Sequence, residues 1–114
     1  MPFISVKTNT EISKEKEVNL KVKLGKAIGI LPGKSESYLM LEFEDNRRLY
    51  FKGKNDQPIA YVEVKCFGKG SGVNYNKLTA EITNILSSEL DIQPGNSYIK
   101  YEETEYWGYN GANF

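Results

Sequence analysis

The residue best suited to acid–base chemistry in this chain is Pro2, directly behind Met1. A side chain as small as proline's at position 2 permits removal of the initiator methionine. That removal leaves a secondary amine as the first group of the chain. An α-amino group titrates at about 7.7–8.0, so a free one can act as a base near neutral pH. Competing candidates are few: the chain has no histidine and a single cysteine, Cys66. The usual serine and cysteine triads need a histidine. One cysteine forms no internal disulfide and no thiolate cluster for a soft metal, so neither a metal nor another cofactor is expected.

The remaining reactive side chains carry bland readings beside any chemical one. Lys34 follows Pro32-Gly33 and could simply be a cation favourable to a helix C-terminus. Cys66 lies in an apolar run and reads as a small buried hydrophobe. Phe67 and Tyr98 fit as plain strand residues, and Lys100 could equally face solvent. Trp107 and the aromatic tail can serve as packing. GKGSG is glycine-rich but lacks the spacing of a phosphate loop.

These residues have to be positioned by elements the pattern makes visible. PFISV reads as a first strand, followed by a loop in which Ser13 can cap a helix with Glu15 and Glu17 in its first turn. From there Val18, Leu20, Val22 and Leu24 alternate like a strand, while Leu20, Leu24, Ala27, Ile28 and Leu31 repeat like a helix. The helix pattern is longer and leaves the charged residues on the other face, so a helix is expected, ending at Pro32-Gly33. YLMLEFE, from Tyr38, reads as a second strand, with a turn at Asp45-Asn46 and RRLYF as a hairpin partner. IAYVEVKCF, Ile59 to Phe67, reads as a central buried strand. After the GKGSG turn a second helix is expected from about Asn74 to Leu90, with Leu78, Ile82, Ile85, Leu86 and Leu90 on one face. SYIKYEE is a further strand, and EYWGYNGANF an aromatic, glycine-punctuated tail. The order gives two βαβ-like halves. Right-handed crossovers put both helices on one face of a four-stranded mixed sheet. The other face is expected to be apolar and covered by self-association.

The totals agree with one α/β (α+β) domain spanning 1–114. The 114 residues are 39% hydrophobic and 26% charged, with 15 basic and 15 acidic side chains. A net charge of zero argues against a nucleic-acid partner. The lysines between Lys14 and Lys26 alternate with Glu15 and Glu17, as on a solvated face. No run approaches the ~20 apolar residues of a membrane span, and MPFISVKTN lacks the features of a signal peptide. A cytoplasmic location is expected, with no membrane partner.

Pro2 behind Met1, PGK after the first helix, CFGKG after the central strand, SYIKY and the terminal WGYNGANF, taken in order, resemble macrophage migration inhibitory factor and its relatives in the tautomerase superfamily. The resemblance runs the length of the chain. It implies a homotrimer whose sheets form a central barrel, with pockets between subunits. It implies keto–enol tautomerisation of small enolisable keto acids such as phenylpyruvate. Pro2 would be the base, Lys34 the anchor for the substrate carboxylate, and Phe67 a backbone N–H donor. Tyr98 and Lys100 would come from the neighbouring subunit, and Tyr38, Trp107, Tyr109 and Phe114 would line or rim the pocket. The alternative it implies is a cytokine-like protein with a vestigial pocket, acting on a protein receptor and released without a signal peptide. Three features depart from the family pattern. Lys100 stands in place of an asparagine, Phe67 in place of an isoleucine, and IAYV replaces the CxxC of members with thiol–disulfide activity, so no such redox activity is expected.

Overall fold

The computed structural model describes residues 1–114. β1 (Pro2–Thr8) leads to α1 (Lys14–Ala27), which tightens into a 3₁₀ turn at Ile28–Ile30. β2 (Met40–Glu44) and β3 (Ala60–Phe67) follow, then α2 (Gly72–Leu90) and β4 (Ser97–Thr104). A small hairpin, β5 (Gly108–Tyr109) with β6 (Ala112–Asn113), closes the chain. Neither helix is long and apolar enough to cross a membrane.

The main sheet has the order β2-β1-β3-β4. β1 runs parallel to β2, β3 runs parallel to β4, and the two halves meet antiparallel between β1 and β3. This is the mixed four-stranded sheet expected from two βαβ units. Both helices lie on one side, where even-numbered residues of β1 and β3 point. Ile4, Val6, Val62, Val64 and Cys66 pack there against Leu20, Leu24, Leu78, Ile82 and Leu86, all with 2% exposure or less. Burying a side chain of this size stabilises a fold by roughly 1.5–3 kcal/mol.

Local signals set the helix boundaries. The Ser13 hydroxyl accepts a hydrogen bond from the Lys16 N–H, capping α1 where the sequence predicts. Ser71 does the same for α2 through Asn74, so α2 begins at Gly72, two residues earlier than the apolar pattern indicates. Its last turn ends at Asp91 in the left-handed region, φ 55°.

Three expectations are corrected. The second strand starts at Met40, because Glu36–Tyr38 form a 3₁₀ turn that takes Tyr38 out of the sheet. RRLYF pairs with no strand. Asn46, Lys52 and Gly53 all have positive φ, and the Arg47 N–H bonds back to the Thr8 carbonyl at 2.9 Å. Only a tight Phe51–Lys54 turn survives of the hairpin. The open sheet face is mixed rather than apolar, because strand alternation sends Ser5, Lys7, Glu42, Glu63, Lys65, Lys100 and Glu102 to the side away from the helices, beside Phe3, Met40, Tyr61 and Tyr98. Lys7 bonds Glu63 at 3.1 Å across that face, and Ser5 bonds Glu42 at 2.9 Å.

Candidate active site

The first residues of β1 and the last of β3 are register partners, Pro2 opposite Cys66. That pairing brings the chain terminus to the end of the central strand. Pro2 is buried and Met1 half-buried. The Phe67 N–H donates to the Met1 carbonyl at 3.2 Å. Lys34 Nζ donates to the Phe67 carbonyl, also at 3.2 Å. The amine, the ammonium and both polar groups flanking Phe67 therefore meet at one corner of the sheet.

Lys34 arrives there through the turn that ends the α1 region. Pro32 and Gly33 occupy its centre, with Gly33 at φ 77°, and the Lys34 N–H closes it on the Leu31 carbonyl at 3.1 Å. Proline followed by a positive-φ glycine is the sequence signature of a type II turn. The reading of Lys34 as a mere helix-end cation is incomplete, since its ammonium reaches β3.

Burial is the larger effect on the Met1 amine and the Lys34 ammonium the next. Both disfavour the cation and push the amine below its ordinary 8.0, against an opposing pull from Cys66. Burial also raises the Cys66 thiol. That keeps it a neutral, small core residue, with 1% exposure.

An aromatic train borders this corner. The Phe67 ring lies 5.5 Å from that of Phe114. Phe114 stacks on Tyr109 at 6.3 Å, and Tyr109 meets Tyr38 edge to face at 5.8 Å. The tail reaches back because Asn110 and Gly111 both take positive φ between β5 and β6, as an Asn-Gly hairpin turn requires. The Trp107 carbonyl accepts from the Phe114 N–H at 3.1 Å, fixing the end of the chain.

Pro2, Lys34, Phe67, Tyr38, Tyr109 and Phe114 are thus brought together within one chain. Tyr98 and Lys100 are not. Tyr98 pairs with Tyr61, five residues along β3 from the partner of Pro2, a separation of about 17 Å. Its ring meets Phe51 instead, at 5.1 Å. Lys100 lies on the open face of edge strand β4 and is paired with Glu102 at 3.1 Å. A groove of about 710 Å³ lies elsewhere, between α1 and β2 along Val18, Leu39, Leu41 and Phe43. No three Cys, Asp or Glu side chains converge as a metal site would need.

Sequence reasoning missed one group beside the corner. The Glu103 carboxylate accepts from both the Tyr75 hydroxyl and the Gly70 N–H, each at 2.6 Å. Those bonds hold the Glu103 carboxyl below the usual carboxylate range and raise the Tyr75 hydroxyl, for which burial is the larger cause. Its only advance signal is the glycine-rich GKGSG stretch after β3.

The family model for macrophage migration inhibitory factor matches residues 1–114. The mouse protein of that name is 30% identical over 119 aligned positions, covering 100% of this chain and 99% of the mouse protein. Among solved structures, Leishmania major MIF2 superposes with a TM-score of 0.92 at 29% identity, covering 100% of this chain and 97% of that one. The MIF-like protein of Entamoeba histolytica shares the fold, with a TM-score of 0.86 at 22% identity over 99% and 98% of the two chains.

Proposed function

Because the chain belongs to the macrophage migration inhibitory factor family of the tautomerase superfamily, we propose that it is a keto–enol tautomerase of small enolisable keto acids. Phenylpyruvate is its model substrate and the Pro2 amine its general base. The observation that carries this reading is the meeting of chain terminus, Lys34 ammonium and Phe67 peptide at one corner.

With Met1 in place, the Pro2 nitrogen is an amide and has no basic lone pair. Removing Met1 converts it to a secondary amine, whose ring limits where the lone pair can point. The same cut takes away the carbonyl that accepts the Phe67 N–H. A donor is then freed next to a new base. In the forward step the amine takes a proton from the carbon beside the substrate carbonyl. The electron pair moves onto the oxygen, where the N–H and the Lys34 ammonium stabilise it. Return of the proton to that oxygen completes the enol, with nothing consumed. Lys34 anchors the substrate carboxylate. Tyr38, Trp107, Tyr109 and Phe114 border the pocket, and Tyr98 and Lys100 join it from the next subunit of a homotrimer.

The second reading is a cytokine-like binding protein with a weak pocket, acting on a protein receptor. The ring of Phe67, packed against Phe114 where a smaller side chain would leave room, favours it. One experiment separates the two. Phenylpyruvate tautomerisation is measured for protein with Met1 removal verified by mass, for Pro2→Gly, and for a form with alanine inserted before Pro2. The tautomerase reading expects activity in the first, a loss of about 10²-fold or more in the inserted form, and an intermediate Pro2→Gly, since general-base catalysis contributes typically 10²–10⁴-fold. Equal rates in all three would refute Pro2 as base. No activity in any of them favours the binding protein.

A further inference from the structure

We propose that Glu103 is a positioning residue for the Phe67 peptide, acting through a clamp it forms with Tyr75 and Gly70. This inference rests on the tautomerase reading above. The pairing of β3 with β4 ends at Phe67 opposite Thr104, and Gly68 turns away at φ 84° with its N–H on the Thr104 carbonyl at 2.9 Å. Beyond that bond the backbone of 69–71 has left the sheet. Glu103 holds it instead, through one carboxylate oxygen that takes the Gly70 N–H and the Tyr75 hydroxyl together.

The clamp has a closed shape. The Tyr75 ring stacks on Tyr101 with centroids 4.5 Å apart. The Tyr101 hydroxyl is shared between Thr79, at 2.8 Å, and the Tyr75 carbonyl, at 3.1 Å. Gly70 runs so close beneath Tyr75 that a Cβ there would lie 2.6 Å from the ring's Cζ. The turn is therefore bound by a carboxylate on one side and walled by an aromatic ring on the other. Hydrogen bonds to a carboxylate are the stronger kind. Three residues before Gly70 sits Phe67, whose carbonyl holds Lys34 and whose N–H is freed with Met1. A turn that slackens at Gly70 lets the Phe67 peptide drift, and the Lys34 ammonium drifts with it. The Pro2 amine lies on β1 and is anchored separately, opposite Cys66. Glu103 thus governs how the substrate and its developing oxyanion are held, while the position of the base is set on β1.

The test uses the processed full chain with phenylpyruvate as probe. For Glu103→Ala, KM is expected to rise about 5- to 10-fold and kcat to fall by a comparable factor, because the displaced Lys34 ammonium and Phe67 N–H serve both the bound substrate and its developing oxyanion. Glu103→Gln keeps an acceptor oxygen and returns KM to within about twofold of the parent on the same reasoning. Tyr75→Phe keeps the ring, removes one of the two bonds and raises KM by a smaller factor, which covers the case of a poorly folded alanine variant. Amide hydrogen exchange at Gly68 is followed in parallel and is expected to quicken in Glu103→Ala, less in Tyr75→Phe, and not in Glu103→Gln. A KM unchanged in Glu103→Ala, or kcat and KM equally damaged in the alanine and glutamine variants, overturns the proposal. If the parent itself shows no tautomerisation, that reading fails and Gly68 exchange decides the clamp. Faster exchange in the alanine but not the glutamine variant upholds it, and equal exchange in all three overturns it.

Discussion

At the scale of single residues, the amine and Lys34 are a coupled pair. Burial and the neighbouring ammonium both hold the chain's α-amine below 8.0 while Met1 is present. Pro2 is more buried than Met1, and burial and the Lys34 cation are expected to disfavour the protonated form of its amine in the same way once processing frees it. The base is the deprotonated form. In the proposed mechanism, activity is therefore lost as pH falls through the amine pKa and is full above it. The kcat/KM profile of the processed protein is expected to show an ascending limb whose inflection lies below the ordinary value of such an amine. Removing the cation relieves part of the penalty on the protonated amine. Lys34→Ala should move the inflection to higher pH, and KM should rise because the carboxylate anchor is gone. Superimposable pH profiles for the two proteins would show that Lys34 does not act on the base.

At the scale of elements, the caps and the apolar stripes make different contributions. Ser13→Ala leaves the core intact and removes one hydrogen bond at the start of α1, a cost of about 1 kcal/mol. Leu24→Ala empties a fully buried position between α1 and the sheet, at about 2–5 kcal/mol. Urea titration at fixed protein concentration should rank the two in that order, and a larger loss for Ser13→Ala would mean that the core is not where stability resides. Both helices, β1, β3 and β4 were legible in the sequence because each carries several residues at one period. The β2 boundary and RRLYF were not, because Tyr38 and Leu39 extend an apolar run that the backbone abandons, and because Lys52 adopts a positive φ that its side chain does not announce. The Asn110-Gly111 turn was written in the chain but had only two-residue strands beside it, too short to show alternation. The candidate site was legible only through resemblance, since Pro2, Lys34, Phe67 and Phe114 lie far apart in sequence. Beyond the glycine-rich GKGSG stretch, nothing pointed to Glu103: nothing local distinguishes it from Glu102, and its role depends on which way the strand alternates against Tyr75.

At the scale of the molecule, the chain is loosely drawn. Its radius of gyration is 14.3 Å, against about 13 Å for a compact chain of this length. Only 22 of 114 residues are buried, and Met40, Tyr50, Tyr98 and Tyr106 are each more than 60% exposed. Both β2 and β4 are open sheet edges, and such edges invite pairing with another chain. These features support assembly through edges and loops, while the charges of Lys7, Glu63 and Lys100 on the open face make a dry face-to-face contact costly. In the trimer we propose, Tyr98 reaches the site of its neighbour. Chains carrying Pro2→Gly and chains carrying Tyr98→Ala, unfolded and refolded together, should then show more activity than either shows when refolded alone. No recovery in mixtures shown by native mass spectrometry to contain both chains would place Tyr98 outside the site.

The Phe67–Met1 hydrogen bond gives the proposed chemistry a direction in time. Hydrolysis of the Met1–Pro2 peptide bond is not undone by any ligand, pH change or partner. A copy of the chain is therefore committed once, and its history is written in a mass difference of one methionine. Activity in a preparation then counts processed copies rather than reporting a graded state of each. Two batches identical in fold can differ in specific activity by nothing more than how completely their first residue was trimmed.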